Sequence, residues 1–350
     1  MELSTPGRIC LFGEHQDYLG LPVIPMGISL RTRLFGEQCL GRSFIINKSN
    51  LNEVESFSLD DLAYTKPRDY FKSGVKVCMD EGLTFSNGFE CELLSEIPMK
   101  AGTASSSSIM VSWIYFLSVM ADNPVQWDQE KIGSLAYKAE VLEFNEPGGM
   151  MDQYSTALGN LIYLEFEPKI LIETMKPSLG TFVLGDSLEP KDTIEILQRC
   201  RDSRLAILEK IRSQNRNFSL HKIELDKINE YNLNTDENKL LSGTIKNRDI
   251  LRQALSELKK VDPDHEKIGF LLSEHHTILR DVLKISTPKI EIMLDASKEA
   301  GALGGKITGS GGGGCMFVYA PDNPEKVVEA IEKVGGKAYT IHSEAGTRID

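Results

Sequence analysis

A two-domain α+β fold is predicted by three features of the sequence. Strand-like and helix-like patterns alternate through the first half. From about Asp192 the chain turns helix-rich, and its 350 residues are enough for two hydrophobic cores. The change of character falls near residues 168–180.

The elements follow in order. Residues 9–12 and 23–30 read as strands around a loop, and residues 90–97 as a strand that Pro98 ends. Residues 106–120 are apolar nearly all round, which predicts a buried helix. Residues 129–144 carry Ile132, Leu135, Ala136 and Ala139 at the spacing of an amphipathic helix. Short strands are expected at 161–166 and 181–184. Ile194, Leu197, Leu205, Leu208 and Ile211 then predict long amphipathic helices, interrupted by the polar stretch 232–238. Residues 292–300 read as a helix, 315–319 as a strand, and 323–334 and 338–342 as a last helix and strand.

Composition narrows the function. A hydrophobic content of 41% and a charged content of 26% are those of a globular enzyme rather than a disordered chain. The formal charge of −12 is unsuited to nucleic acid or an anionic membrane surface, both of which call for a basic footprint. Residues 1–8 lack the basic and apolar pattern of a secretory signal, and the apolar run 109–121 is too short to span a bilayer. The scattered cysteines (Cys10, Cys39, Cys78, Cys91, Cys200 and Cys315) form no metal-ligand spacing, so free thiols in a reducing cytoplasm are expected.

Glycine punctuation concentrates at residues 7–20, 102–108 and 301–314. The segment Pro98-Met-Lys-Ala-Gly-Thr-Ala-Ser-Ser-Ser-Ser108 joins a strand to a helix. Small residues there let backbone N–H groups approach an anion, and the helix start adds unpaired donors and a positive dipole end. Alone, such a segment is equally a serine-capped turn, since it lacks the GxxxxGK[ST] pattern.

Three further runs accompany it. They are Pro6-Gly-Arg-Ile-Cys-Leu-Phe-Gly-Glu-His-Gln-Asp-Tyr18, Pro147-Gly-Gly-Met-Met-Asp-Gln153 and Gly305-Lys-Ile-Thr-Gly-Ser-Gly-Gly-Gly-Gly-Cys315. In this order and spacing the four runs resemble the motifs of the GHMP kinase superfamily, and of its galactokinase branch in particular. The stretch Glu274-His-His276 with Leu279 and Arg280 adds to the likeness. The resemblance implies an S5 domain 2-like N-terminal GHMP domain over residues 1–175 and a ferredoxin-like C-terminal GHMP domain over residues 176–350. It also implies ATP and a small acceptor, with neither nucleic acid nor membrane as partner, bound in the cleft between the domains.

Roles follow residue by residue from the same resemblance. Gly102, Thr103, Ala104, Ser105, Ser106, Ser107 and Ser108 would hold the triphosphate. Ser106, eight residues after Pro98, and Glu140, twelve before Asp152, would hold Mg²⁺, a cation that takes few protein ligands and keeps phosphate oxygens and waters. Asp152 would accept the proton of the attacking hydroxyl, with Arg8 beside it to offset charge on the transferring group. Glu14, His15, Asp17 and Gly149 would contact the acceptor, because a carboxylate accepts from two adjacent hydroxyls. Gly309–Gly314 would pack close to the phosphates and the other domain.

The pattern departs from galactokinases at several places. Gln16 stands for a Thr, Leu19-Gly-Leu-Pro22 for an Asn-rich turn, and Lys100 and Thr103-Ala104 for Gly and Leu-Ser. Residues 184–205 lack the sugar-contacting Tyr of that branch, leaving Asp186, Lys191 or Asp192 as candidates. The expected activity is phosphorylation of a monosaccharide at its anomeric hydroxyl, galactose leading. Mevalonate kinase or another GHMP kinase is the alternative, and a ligand-binding regulator without turnover is the alternative of another class.

Overall fold

The computed structural model describes residues 1–99, 101–190 and 193–350. The chain opens with a long antiparallel pair, β1 (Glu2–Phe12) and β2 (Ile24–Gln38). A hairpin follows, β3 (Ser43–Lys48) and β4 (Glu53–Ser58), then helix α1 (Tyr70–Asp80), strand β5 (Phe89–Ser95) and helix α2 (Ser105–Met120). Helices α3 (Gln129–Tyr137) and α4 (Met151–Leu158) lead into β6 (Leu161–Glu165) and β7 (Leu171–Met175). The later part holds β8 (Phe182–Asp186), α5 (Thr193–Gln214), α6 (Thr235–Leu258), α7 (His265–Asp281) and α8 (Pro288–Glu299). It ends with β9 (Gly304–Ile307), β10 (Cys315–Tyr319), α9 (Pro324–Lys333), β11 (Lys337–Ile341) and β12 (Arg348–Ile349).

These strands build two sheets. The larger runs β12-β1-β2-β5-β3-β4, with β6 on β2 and β7 on β6; the smaller, antiparallel, runs β11-β8-β10-β9. The larger sheet packs its apolar side chains against α1–α3, around fully buried Trp113, Phe116, Phe44 and Leu117. Trp113 also donates from Nε1 to the Phe71 carbonyl at 3.0 Å, which satisfies its one polar atom inside the core. A second core of Ile9, Phe12, Met26, Phe182, Leu251, Leu272 and Phe317 joins β1 and β2 to the smaller sheet and the later helices. The two sheets therefore meet over packed apolar side chains, which fixes the cleft between them.

Three differences from the expected elements have physical causes. Strand β1 begins at Glu2, seven residues before the predicted start, because buried Ser4 and Thr5 break the apolar pattern while satisfying themselves inside. Thr5 Oγ1 sits 2.8 Å from Thr347 Oγ1 and accepts from Ser112 Oγ at 2.7 Å. The helix expected over 129–144 ends as an α-helix at Tyr137 and continues as a wider π turn over Lys138–Leu142. Such insertions recur at functional sites, and this one carries Glu140. The interruption expected at 232–238 is longer and ends inside that stretch: residues 215–234 separate α5 from α6, and Asn234 and Glu237 form a reciprocal capping box that starts α6.

Candidate active site

The small residues of the loop 101–108 line a common cavity, with two exceptions. Ala104 precedes α2 in the left-handed region (φ 58°) and offers no capping side chain. The first-turn N–H groups of α2 thus lack a side-chain cap from Ala104 and are available to an anion. Gly102, Ala104, Ser105, Ser106 and Ser107 line a cavity of about 740 Å³. Thr103 and Ser108 do not reach it. Thr103 is fully buried and donates to the Pro98 carbonyl at 3.2 Å, while Ser108 donates to the Ser105 carbonyl and pairs with Thr32, both at 2.8 Å. Their side chains hold the loop's shape from behind, Thr103 within the loop and Ser108 on the buried face of α2.

The glycine run after β9 closes on this loop as expected. A Cβ on Gly309 (φ 75°) would lie 2.5 Å from the Gly102 Cα, and Cys315 N–H donates to the Ala101 carbonyl at 2.7 Å. Only glycine allows that approach and that backbone angle together. The smaller sheet thus braces the loop that precedes α2.

Arg8 follows a register shift in the β1–β2 ladder between Pro6 and Arg8. An irregularity there re-aims the next side chain. Its guanidinium is almost fully buried and donates to Asp152 Oδ1 from Nε at 2.9 Å and from Nη2 at 2.6 Å, and to the Gly102 carbonyl. Burial works against the charge, but Asp152 and Glu14 outweigh it and hold Arg8 above its ordinary value. Both bonds to Asp152 fall on Oδ1. Its side chain, at the start of α4, keeps 33% of its surface open and lines the cavity.

The π turn brings Glu140 across to α2. Its Oε1 accepts from Ser106 Oγ at 2.6 Å and its Oε2 from Gln153 Nε2 at 2.6 Å. Burial raises its pKa, with the Ser106, Gln153 and Ser107 hydrogen bonds pulling the other way. Among the described residues no cluster of three or more His, Cys, Asp or Glu side chains could hold a metal by itself. One carboxylate and one hydroxyl beside a phosphate loop match a hard cation that takes its remaining ligands from phosphate and water.

The loop 13–22 supplies the opposite wall. Asp17 accepts the backbone N–H groups of Tyr18 and of Met151 at the start of α4, and Gly149 lies so close that any Cβ there would overlap its carboxylate. Burial, with the nearby charge of Asp152, pushes Asp17 up to about 6. Glu14 is buried, and its Oε2 accepts from Lys306 Nζ at 2.7 Å. His15, at φ 61°, is bound through both ring nitrogens, Nδ1 with Tyr18 Oη at 2.8 Å and Nε2 with the Ser310 carbonyl at 3.1 Å. All four predicted acceptor residues line the cavity, but Glu14 and His15 are already engaged by the protein.

Sequence reasoning passed over the residues that hold this wall. Lys306 is wholly buried on β9 and also donates to the Cys10 carbonyl at 2.8 Å. Arg204 of α5, also buried, donates to Tyr18 Oη and stacks its guanidinium 5.3 Å from the Tyr18 ring centre. Lys306 did carry a signal, a lone base inside an apolar strand, but its partner is 292 residues away. Asp186, considered as a ligand contact, instead accepts from the Leu188 N–H and is not in the cavity wall. Lys100, Lys191 and Asp192 lie outside the described residues.

Comparison with known proteins accords with this geometry. Residues 69–160 match the GHMP kinases N terminal domain, residues 251–337 the GHMP kinases C terminal region, and residues 3–37 the galactokinase galactose-binding signature. A mevalonate kinase of Thermococcus gammatolerans is 28% identical over 99% of this chain and 97% of its own length. A galactokinase of Clostridium perfringens is also 28% identical, over 95% of this chain and 88% of its own length. In fold, the chain resembles a Lactococcus lactis galactokinase complexed with galactose (TM-score 0.86, 21% identity, 99% of this chain and 94% of that one). It also resembles the Methanococcus jannaschii mevalonate kinase (TM-score 0.75, 20% identity, 98% of each chain). With the family's N- and C-terminal models matched in order, and its two-domain α+β fold reproduced, the chain belongs to the GHMP kinases, a family of ATP-dependent kinases.

Proposed function

We propose that this protein transfers the γ-phosphoryl group of ATP to the anomeric hydroxyl of a neutral monosaccharide, galactose being the leading candidate. The observation that carries this reading is the charge at the acceptor end. Arg8, the cation that lines the cavity beside Asp17 and Asp152, is held by the Asp152 carboxylate; Lys306 is paired with Glu14, and neither it nor Arg204 is in the cavity wall, so among the described lining residues no unpaired cation faces an acceptor there. Asp17 meanwhile offers an acceptor-rich carboxylate. A polyol that donates hydroxyl hydrogens suits such a wall; the carboxylate of mevalonate does not.

In this reading residues 1–175 form the N-terminal domain and residues 176–350 the C-terminal one. The acceptor lies against Glu14, His15, Asp17 and Gly149. Its hydroxyl gives its proton to Asp152, on the oxygen that Arg8 leaves uncovered, as the oxygen bonds to the γ-phosphorus and the bond to ADP breaks. Arg8 spans Asp152 and the phosphate loop, so its charge lies beside the group in transfer. Ser106 and Glu140 would hold Mg²⁺, whose charge offsets that of the phosphates. The backbone of residues 102–107 would take the phosphate oxygens.

Mevalonate kinase remains the second reading, on the 28% identity to enzymes of that name over nearly the whole chain. A regulator without turnover finds less support, because Arg8, Ser106, Glu140 and Asp152 stand together. ATP consumption with Mg²⁺ should be measured against galactose, other monosaccharides, sugar acids and mevalonate. Turnover on a neutral sugar, with the 1-phosphate seen by NMR, is the expected result; turnover on mevalonate alone would overturn the proposal.

The acceptor's Michaelis constant should depend on pH. Asp17 accepts hydroxyl hydrogens on both oxygens, and most strongly, when ionised, so the constant should rise as pH falls through about 6, and Asp17→Asn should flatten that profile. The stability effect has the opposite sense. A carboxyl whose folded-state value lies above its ordinary 3.8 costs stability as pH rises from about 4 to about 6. Asp17→Asn should therefore be no less stable than the parent at pH 7 while binding the acceptor more weakly. A pH-independent constant in the parent would remove Asp17 from the acceptor site.

A further inference from the structure

The cavity wall carries an imbalance that the residues discussed so far do not resolve. Among the described lining residues, six carboxylates (Glu14, Asp17, Glu53, Glu140, Glu146 and Asp152) face two guanidiniums, Arg8 and Arg68. Arg8 is buried against Asp152. A polyphosphate entering this wall therefore meets one cation with an accessible side chain, Arg68, which is 40% exposed.

Arg68 is held in an unusual conformation by a rigid turn. Its backbone is left-handed (φ 57°), a region that non-glycine residues rarely adopt. Buried Asp69 secures the turn by accepting the Thr65 N–H at 3.0 Å and the Thr65 hydroxyl at 3.3 Å, and Tyr70 N–H donates back to the Arg68 carbonyl at 2.7 Å. Across the cavity lip, Glu146 follows a second left-handed residue, Asn145 (φ 52°), just beyond the π turn that bears Glu140. Arg68 meets Glu146 through two nitrogens, with Nη2 to Oε2 at 2.6 Å, and Glu140 lies within its electrostatic reach. Two strained turns thus present a partly exposed, forked ion pair at the end of the cavity where Ser106 and Glu140 lie.

We propose that Arg68 is a nucleotide-phosphate ligand and that Glu146 is its resting counter-ion, exchanged for a phosphate oxygen when the nucleotide binds. The proposal rests on reading this cavity as the ATP site, and it adds a residue from outside the glycine loops. A guanidinium fork fits carboxylate and phosphate alike, so one rigid turn serves both states. The pair keeps Arg68 aimed at the lip in the free protein, and nucleotide phosphate competes with Glu146 for it.

Dissociation constants for Mg·ADP and for adenosine, measured by calorimetry on the full chain without acceptor, test this. Arg68→Met should weaken Mg·ADP by about 10-fold or more and leave adenosine unchanged. Glu146→Gln, which frees the guanidinium, should bind Mg·ADP as tightly as the parent or more tightly. Arg68→Lys keeps the charge without the fork, gives an intermediate value, and serves as the test if the methionine variant does not fold. Equal Mg·ADP affinity in the parent and both Arg68 variants would overturn the proposal. So would equal losses in Arg68→Met and Glu146→Gln, which would make the pair a structural clasp. A parent that binds no Mg·ADP would instead refute the nucleotide reading of the cavity itself.

Discussion

Asp152→Asn is expected to lower kcat by about 10²–10⁴-fold, the usual range for loss of a general base, with Mg·ADP affinity unchanged. The amide keeps an oxygen where Arg8 donates, so the guanidinium retains its place between α4 and the phosphate loop. What is lost is the basic oxygen toward the cavity. Single-turnover kinetics with the acceptor and ATP both saturating would isolate the chemical step. A fall of less than about 3-fold would mean that the loose transition state needs no proton acceptor and that Asp152 only positions the hydroxyl.

Lys306→Met is expected to have the largest effect on stability, about 3–5 kcal/mol, the range for removing one partner of a buried ion pair. The ammonium is wholly buried, and Glu14 is nearly so, with nothing but the cavity to receive its charge. The Cys10 carbonyl would lose its donor as well. Denaturant unfolding should register this loss, and the Michaelis constant for the acceptor should rise while that for ATP holds. Adding Glu14→Gln should recover part of the stability, since the orphaned charge goes with it. A double variant as unstable as the sum of the two singles would show that Lys306 acts through packing rather than through Glu14.

Legibility differed by element. Strand β10 (Cys315–Tyr319) and helix α2 (Ser105–Met120) were read to within one residue, because each is a short apolar unit whose burial is written in its own composition. The hairpin β3–β4 and helix α1 went unassigned. Two of those elements are short strands whose exposed polar faces dilute their period, and Tyr70–Asp80 mixes charges with its apolar stripe. The wide turn at Lys138–Leu142 cannot be foreseen from periodicity, since it lies at the helix end and too few residues follow it to show the shift in phase that an inserted residue causes.

The sequence by itself determined the family, the two-domain α+β fold and the identity of the chemical groups. Glycines, a serine loop and motif carboxylates are local signals, each intelligible from a few neighbours. Tertiary structure alone decided how those groups are occupied. It turned Thr103 and Ser108 away from the cavity, tied Glu14 to Lys306 and His15 to Tyr18 and Ser310, and set Arg68 at the lip against Glu146. The contacts Glu14–Lys306, His15–Ser310 and Arg68–Glu146 join segments brought together by sheet pairing and core packing, while the local ones at Thr103, Ser108 and Tyr18 depend on which side of the loop or helix faces the core. A charge's neighbours set its ionisation and its availability to a ligand, and no window of sequence contains them.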